Sequence, residues 1–92
     1  MTMFTRYRTM TTKRSHVKIK APVEVFEAVA NAGCYVTACS NRKYAQVFKY
    51  DRLTRKSSYV APLAAFISDK VCGYRDGNGC NLTKSNLIMM ED

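Results

Sequence analysis

The residues of this chain with the most specific chemistry lie near its end, in VCGYRDGNGCNLTKSNLIMM, residues 71–90. Asp76-Gly77-Asn78 is a strong turn signal, because an Asp carboxylate accepts from nearby backbone amides while Gly and Asn tolerate left-handed backbone. Asn81 and Asn86 follow Asp76 at intervals of five, and Leu87 comes directly after Asn86. From the residues alone this is a turn followed by a short polar helix with one apolar anchor. The remaining groups with reactive chemistry are Cys34, Cys39, Cys72, Cys80 and a single histidine, His16. The cysteine spacings, C-x4-C and C-x7-C, miss the two-residue knuckle of zinc sites, and His16 is distant in sequence, so a metal is not expected. The N-terminal stretch shows no apolar signal-peptide core, and no run approaches about 18 apolar residues. The reading is therefore a reducing compartment, the cytoplasm, with thiols packed as small hydrophobes.

Charge adds a second signal. Fifteen Lys and Arg against seven acids give a net charge of +8, a field that attracts polyanions, nucleic acid first among them. A merely soluble basic protein or a ribosome-like scaffold piece carries the same charge. The distribution is uneven. Arg6, Arg8, Lys13, Arg14, Lys18 and Lys20 fall in residues 1–20 without an acid, and Arg42, Lys43, Lys49, Arg52, Arg55 and Lys56 cluster beside Asp51 alone. Two such segments suggest one basic face rather than a tail. Tyr7, Tyr44, Phe48 and Tyr50 are interleaved with these cations. Aromatics there suit stacking on unpaired bases, but alternation places Tyr44, Phe48 and Tyr50 on one strand face and favours core for most of them.

The elements that must carry these residues follow from periodicity. Val17 and Ile19 alternate with Lys18 and Lys20, as in a half-buried strand, and residues 1–15 read as a basic N-terminal strand or arm. Pro22 and Glu24 open a helix ended by Asn31-Ala32-Gly33, with Val23, Phe26, Val29 and Ala30 as its apolar stripe. Cys34–Cys39 and Lys43–Tyr50 form a hairpin around a polar turn, Ser40 to Lys43. Ser57–Val60 is a further short strand. Pro62 opens a second short helix, Leu63–Ser68, with Leu63 and Phe66 inward. Ninety-two residues hold one domain. The expected class is α+β: a small antiparallel β-sheet with two short helices and a turn-rich C-terminal module.

The pattern D-G-N-x-x-N-x-x-x-x-N-L, carried by Asp76 to Leu87, resembles that of phage-type HNH homing endonucleases, commonly written around V-D-H-x-D-G-N. In those enzymes a helix, a basic strand pair with R-Y-A or G-Y-A, and an apolar segment precede the motif. Val23–Asn31, Arg42-Lys43-Tyr44-Ala45 and Leu63–Ile67 stand here in that order. The resemblance spans roughly residues 17–90, with only Asp76–Leu87 specific. It implies a degenerate ββα-like HNH loop, with Asp76, Gly77, Asn78, Asn81 and Asn86 as structural residues. The catalytic positions do not carry over. HNH chemistry needs a histidine base and a metal. Tyr74 stands at the position of the base and Gly73 at a metal-ligand position. The third ligand falls beyond the Asn-Leu pair, about at Asp92. Tyrosine, with an ordinary pKa of about 10, is a poor base at neutral pH. His16 would replace it only by folding over from another element.

The expected function is therefore non-catalytic, without cofactor, membrane or small-molecule substrate. A stand-alone degenerate nuclease of this size looks like a phage counter-defence protein in a host bacterial cell. The whole chain is also loosely similar to anti-CRISPR proteins directed at type I-F surveillance complexes. That likeness implies docking on the guide-RNA channel of a host CRISPR ribonucleoprotein and blocked target hybridisation. The alternatives are a free DNA- or RNA-binding module of HNH descent and, from another class, an active nuclease with a different ligand set.

Overall fold

The computed structural model describes residues 6–13, 15–38 and 44–90. Arg14, Cys39, the turn from Ser40 to Lys43, and Asp92 lie outside the described residues, as do the expectations placed on them. The chain is a small α+β protein, mostly strand. The order is β1 (Tyr7–Thr11), β2 (Lys18–Pro22), α1 (Val23–Asn31), β3 (Cys34–Thr37), β4 (Gln46–Asp51), β5 (Lys56–Pro62), a 3-10 turn (Leu63–Phe66), β6 (Val71–Tyr74) and β7 (Leu87–Met89).

The strands form three separate antiparallel sheets, β1-β2, β3-β4-β5 and β6-β7, instead of the one small sheet expected from the sequence. Two stretches of bare backbone join them. Lys20 donates its amide to the Cys80 carbonyl at 2.8 Å and accepts from the Leu82 amide at 2.7 Å, while Ala45 donates to Gly79 at 3.1 Å. The segment from Gly79 to Leu82 thus touches β2 on one side and the entry to β4 on the other.

In the first hairpin Thr12 does the turning. Its amide and carbonyl pair with Val17 and His16, and its buried hydroxyl accepts from the Val17 amide at 3.0 Å. His16 sits exposed in this turn with φ 54°, so the only histidine serves as a left-handed turn residue.

The α1 helix spans the expected residues. Pro22, at φ −58°, occupies the N-cap position immediately before it, where its missing N–H costs nothing, and Gly33, at φ 74°, leaves it in a left-handed conformation. Its buried face differs from the expected stripe. Val25 and Val29 are buried one turn apart, Val23 and Phe26 are half-buried, and Ala30 is exposed. The helix packs against β2, β3 and the 3-10 turn together, so its neighbours, and not its widest apolar arc, set the rotation. Val25 and Val29 join Ile19, Val47, Leu63, Leu82 and Leu87 in one core cluster.

Two further expectations change. The second helix is only a four-residue 3-10 turn, with Leu63 and Ala64 buried and Phe66 half-buried. The polar helix expected after Asp76-Gly77-Asn78 is absent. Residues 84–86 form a turn, and Leu87–Met89 becomes a strand paired with β6 through Tyr74↔Leu87 and Val71↔Met89. The physical reason is Leu87: as the first strand residue it is buried in the core, while the Arg75 amide bonds the Asn86 carbonyl at 2.7 Å and closes a hairpin. Ile88, Met89 and Met90 remain exposed.

Candidate nucleic-acid interface

The loop between β6 and β7 is organised by one carboxylate. Asp76 Oδ1 accepts the Asn78 amide at 2.8 Å and the Asn86 side-chain amide at 2.9 Å, while Oδ2 accepts from Asn81 Nδ2 at 3.1 Å. Asn86 Oδ1 accepts the Asp76 amide at 3.0 Å, and its Nδ2 also reaches the Asn81 carbonyl at 2.7 Å. Asn78 Oδ1 accepts the Cys80 amide at 3.0 Å. Gly77, at φ 74°, supplies the left-handed residue that lets the chain reverse over this carboxylate. Asp76, Gly77, Asn78, Asn81 and Asn86 thus meet in one network. The hydrogen bonds from Asn78, then Asn81 and Asn86, hold the Asp76 carboxyl below its usual pKa.

Beside this loop, Tyr74 closes β6 half-buried, and Gly73 precedes it with Ile88 across the ladder. A cleft of about 430 Å³ opens here, bordered by Tyr44, Pro62, Asp69, Cys72, Gly73 and Tyr74. Burial pushes the Tyr74 phenol above its ordinary pKa, with Cys80 and Tyr44 adding to the shift. A phenolate is accordingly scarcer at neutral pH than it is in water. Among the described residues no three His, Cys, Asp or Glu side chains gather into a metal-binding group. The described cysteines are unpaired. Cys80 is buried, Cys34 is half-buried and Cys72 is exposed, so Cys72 departs from the packing role expected of it. Its thiol donates weakly to the Ile88 carbonyl at 3.4 Å.

Among the described cations, Lys70, Arg75 and Lys84 lie elsewhere and the rest fall in or beside two hairpins. In the first, Lys18 and Lys20 share a face with Tyr7, Thr9 and Thr11 through the register Thr11↔Lys18 and Thr9↔Lys20. Arg8, opposite Ala21, has the other parity, Arg6 precedes the strand, and Lys13 is in the turn. Lys20 lies over the Tyr7 ring, 5.9 Å from its centroid, and the Tyr7 hydroxyl accepts from the Lys84 amide at 3.0 Å. Tyr7 is thereby engaged by its own protein.

The second hairpin, β4-β5, is an arm. Every residue from 51 to 60 is exposed. Lys49, Arg52, Arg55 and Lys56 sit on it with Asp51 as the sole acid. Asp51 Oδ1 accepts the Leu53 amide at 2.9 Å to form the tip, Arg55 turns it at φ 57°, and Leu53 is 96% exposed. The two basic segments therefore belong to different sheets, and α1 packs against a strand of each, β2 and β3.

The aromatic residues are not core as expected. Tyr44 lies before β4, bridged to Gly79, and Tyr50 is 49% exposed. Phe48 is half-buried, with Tyr35 across from it on β3 and Tyr59 across from it on β5. The face of β4 turned to the core is that of Val47, paired with Val36 and Ala61. The outer face, holding Tyr35, Phe48, Tyr50 and Tyr59, is left largely open. Tyr35 and Tyr59 did not figure among the sequence candidates. A one-residue irregularity between Val47 and Phe48 shifts the β4-β5 register and brings Tyr59, not Val60, opposite Phe48.

The candidate site comprises a basic arm and an aromatic sheet face, on a small α+β frame that also carries the asparagine-braced loop. Comparison with family models, with curated proteins and with solved structures gives no match in any of the three.

Proposed function

We propose that this chain is a non-catalytic protein that binds nucleic acid through the β4-β5 arm and works by occupying it. The observation that carries the reading is the arm itself: four cations against one acid on a hairpin whose residues 51–60 are all exposed. Contact with a phosphate backbone needs only such a row of charges on a support that holds its shape. Two features support the absence of chemistry. Tyr74 occupies the position of the base in the resemblance to HNH nucleases, and its phenol is raised further above neutrality. The Asp76 carboxylate, in turn, is committed to three amide donors that shape the loop. The β6-β7 hairpin with its asparagine network supports a degenerate HNH loop, the ββ part of a ββα unit. In its narrowest form the reading is a phage counter-defence protein, an anti-CRISPR docked on the guide-RNA channel of a type I surveillance complex. The arm would lie on the guide backbone and keep target DNA from pairing.

The test combines plasmid nicking with Mg²⁺, gel shifts on bare DNA and RNA, and target-DNA binding by a type I-F surveillance complex. The expected result is no nicking and loss of target binding at stoichiometric protein. Reversal of Arg52, Arg55 and Lys56 to Glu should remove that effect while the far-ultraviolet circular dichroism stays unchanged. Nicking refutes the non-catalytic reading. Tight binding to bare nucleic acid with an unaffected complex replaces the blocker by a free binding module.

A further inference from the structure

We propose that the outer face of the β3-β4-β5 sheet is a stacking platform for the unpaired bases of a single strand, with Tyr35, Phe48 and Tyr59 as its rings. This rests on the reading above that the neighbouring arm holds a phosphate backbone, and it adds which nucleic acid is taken.

The three rings stand in one row across the sheet because Tyr35 pairs with Phe48 and Phe48 with Tyr59. Tyr35 and Phe48 are stacked at 6.1 Å between centroids with 25° between planes, and Phe48 meets Tyr59 edge-on at 5.6 Å. Tyr35 and Tyr59 are 41% and 47% exposed, and Tyr50 stands two residues along from Phe48, on the same side. Exposure of so much aromatic surface on a small protein calls for a partner. The rings are also held in place. The Tyr35 hydroxyl donates to Ser57 Oγ at 2.7 Å, and the Tyr59 ring is packed edge-on against Phe48. Side chains already fixed lose little freedom when a ligand arrives.

Charge decides the occupant. The row of rings runs through Tyr50 to the hairpin end, where Arg52 and Arg55 stand in the turn, while Lys49 and Lys56 have the parity of Val47. Among the described residues no acid lies on the outer face: Asp51 has the parity of Val47 and spends an oxygen on the Leu53 amide. Flat apolar surfaces next to clustered cations match a ligand that is both a polyanion and a set of π-faces. A duplex hides those faces in its own stack, whereas a single strand presents them. The site therefore discriminates single strands from duplexes without reading sequence.

The experiment measures binding of the full chain to an oligo(dT) of about 15 nucleotides, within the span of known single-strand sites. An abasic oligonucleotide of equal phosphate number and a duplex of equal length serve as comparators. The chain has six tyrosines and no tryptophan, so the tyrosine quenching that is lost in the variant below reports stacking on the platform. The expected result is oligo(dT) binding about 10-fold or more tighter than the abasic strand, as one or two stacked bases imply. The double variant Tyr35→Leu, Tyr59→Leu should lose that advantage and the quenching while keeping abasic binding and its salt dependence. These side chains are surface-exposed, and Leu preserves an apolar contact with Phe48, so the fold is retained; circular dichroism verifies it. Equal affinity for oligo(dT) and the abasic strand overturns the platform and leaves the phosphate-binding reading intact. Failure to bind either strand removes both. Should the double variant instead turn a dimer into a monomer with oligo(dT) binding unaltered, the face belongs to a second copy of the chain and the platform is refuted.

Discussion

Asn86 and Asp76 are bound to each other twice, Nδ2 to the carboxylate at 2.9 Å and Oδ1 to the backbone amide at 3.0 Å. This reciprocal pair joins two points ten residues apart, the positions where the chain leaves β6 and enters β7. It acts as a cross-brace for the loop whose middle, Gly79 to Leu82, also bonds β2 and the start of β4. The brace therefore steadies contacts outside its own hairpin.

Asn86→Ala removes three side-chain hydrogen bonds at a buried position. The loss is expected to destabilise the protein by about 1–3 kcal/mol, because the polar groups left behind lose their partners. For a domain of this size each kcal/mol lowers Tm by about 4–8 °C, which differential scanning calorimetry resolves. An unchanged Tm would remove the cross-brace from the account.

Asp76 confers a pH dependence of known sign. Its folded-state pKa is depressed, chiefly by the Asn78 amide. Its contribution is thus fully present above the unfolded value, about 3.9, and is lost as pH falls through the lower folded value. Urea midpoints followed from pH 7 to pH 2 should fall on the acid side, and Asp76→Asn should flatten part of that fall. Parallel curves for the two proteins would show that the carboxylate is not linked to folding.

Gly77→Ala tests the left-handed turn. An added Cβ meets nothing within 4 Å, so only the φ of 74° opposes it. The expected cost is about 1 kcal/mol, the penalty for a side chain in that conformation, with near-native circular dichroism. A far larger loss would point to a contact that the open space beside Gly77 does not contain.

Arg55→Gly should separate stability from binding. Arg55 holds φ 57° at the arm's turn, a strain of about 1–2 kcal/mol for a side-chain-bearing residue, offset by the roughly 0.5–1 kcal/mol of extra unfolded entropy glycine brings. The variant should be as stable as the parent or up to about 1.5 kcal/mol more so, and yet bind nucleic acid more weakly with a shallower salt dependence. Urea denaturation and a salt titration of a gel shift measure the two effects. Weaker binding accompanied by lower stability would count against the assignment of this residue.

Much of the local structure was legible in the residues themselves. Pro22 and Gly33 mark both ends of α1, and Asp76-Gly77-Asn78 announces a turn, because capping and left-handed backbone depend on neighbours a few residues away. Polarity and charge were equally open: Lys49, Arg52, Arg55 and Lys56 crowd one short stretch of chain whatever the fold. Pairing was not. Whether Leu87 ends a helix or begins a strand depends on β6, which lies more than ten residues earlier, and Val25 became core because three elements converge on its side of α1. The aromatic face belongs to the same category. Alternation put Tyr44, Phe48 and Tyr50 together and favoured core for most of them, whereas Tyr50 is exposed and Phe48 half-buried. Tyr35 and Tyr59 joined Phe48 only through strand register, and a single-residue shift in β4-β5 decided which way Tyr59 turned, since register reverses a strand's faces with each residue. Chain-local energies determined where this protein turns and where it is positive; long-range pairing decided which of its rings face outward.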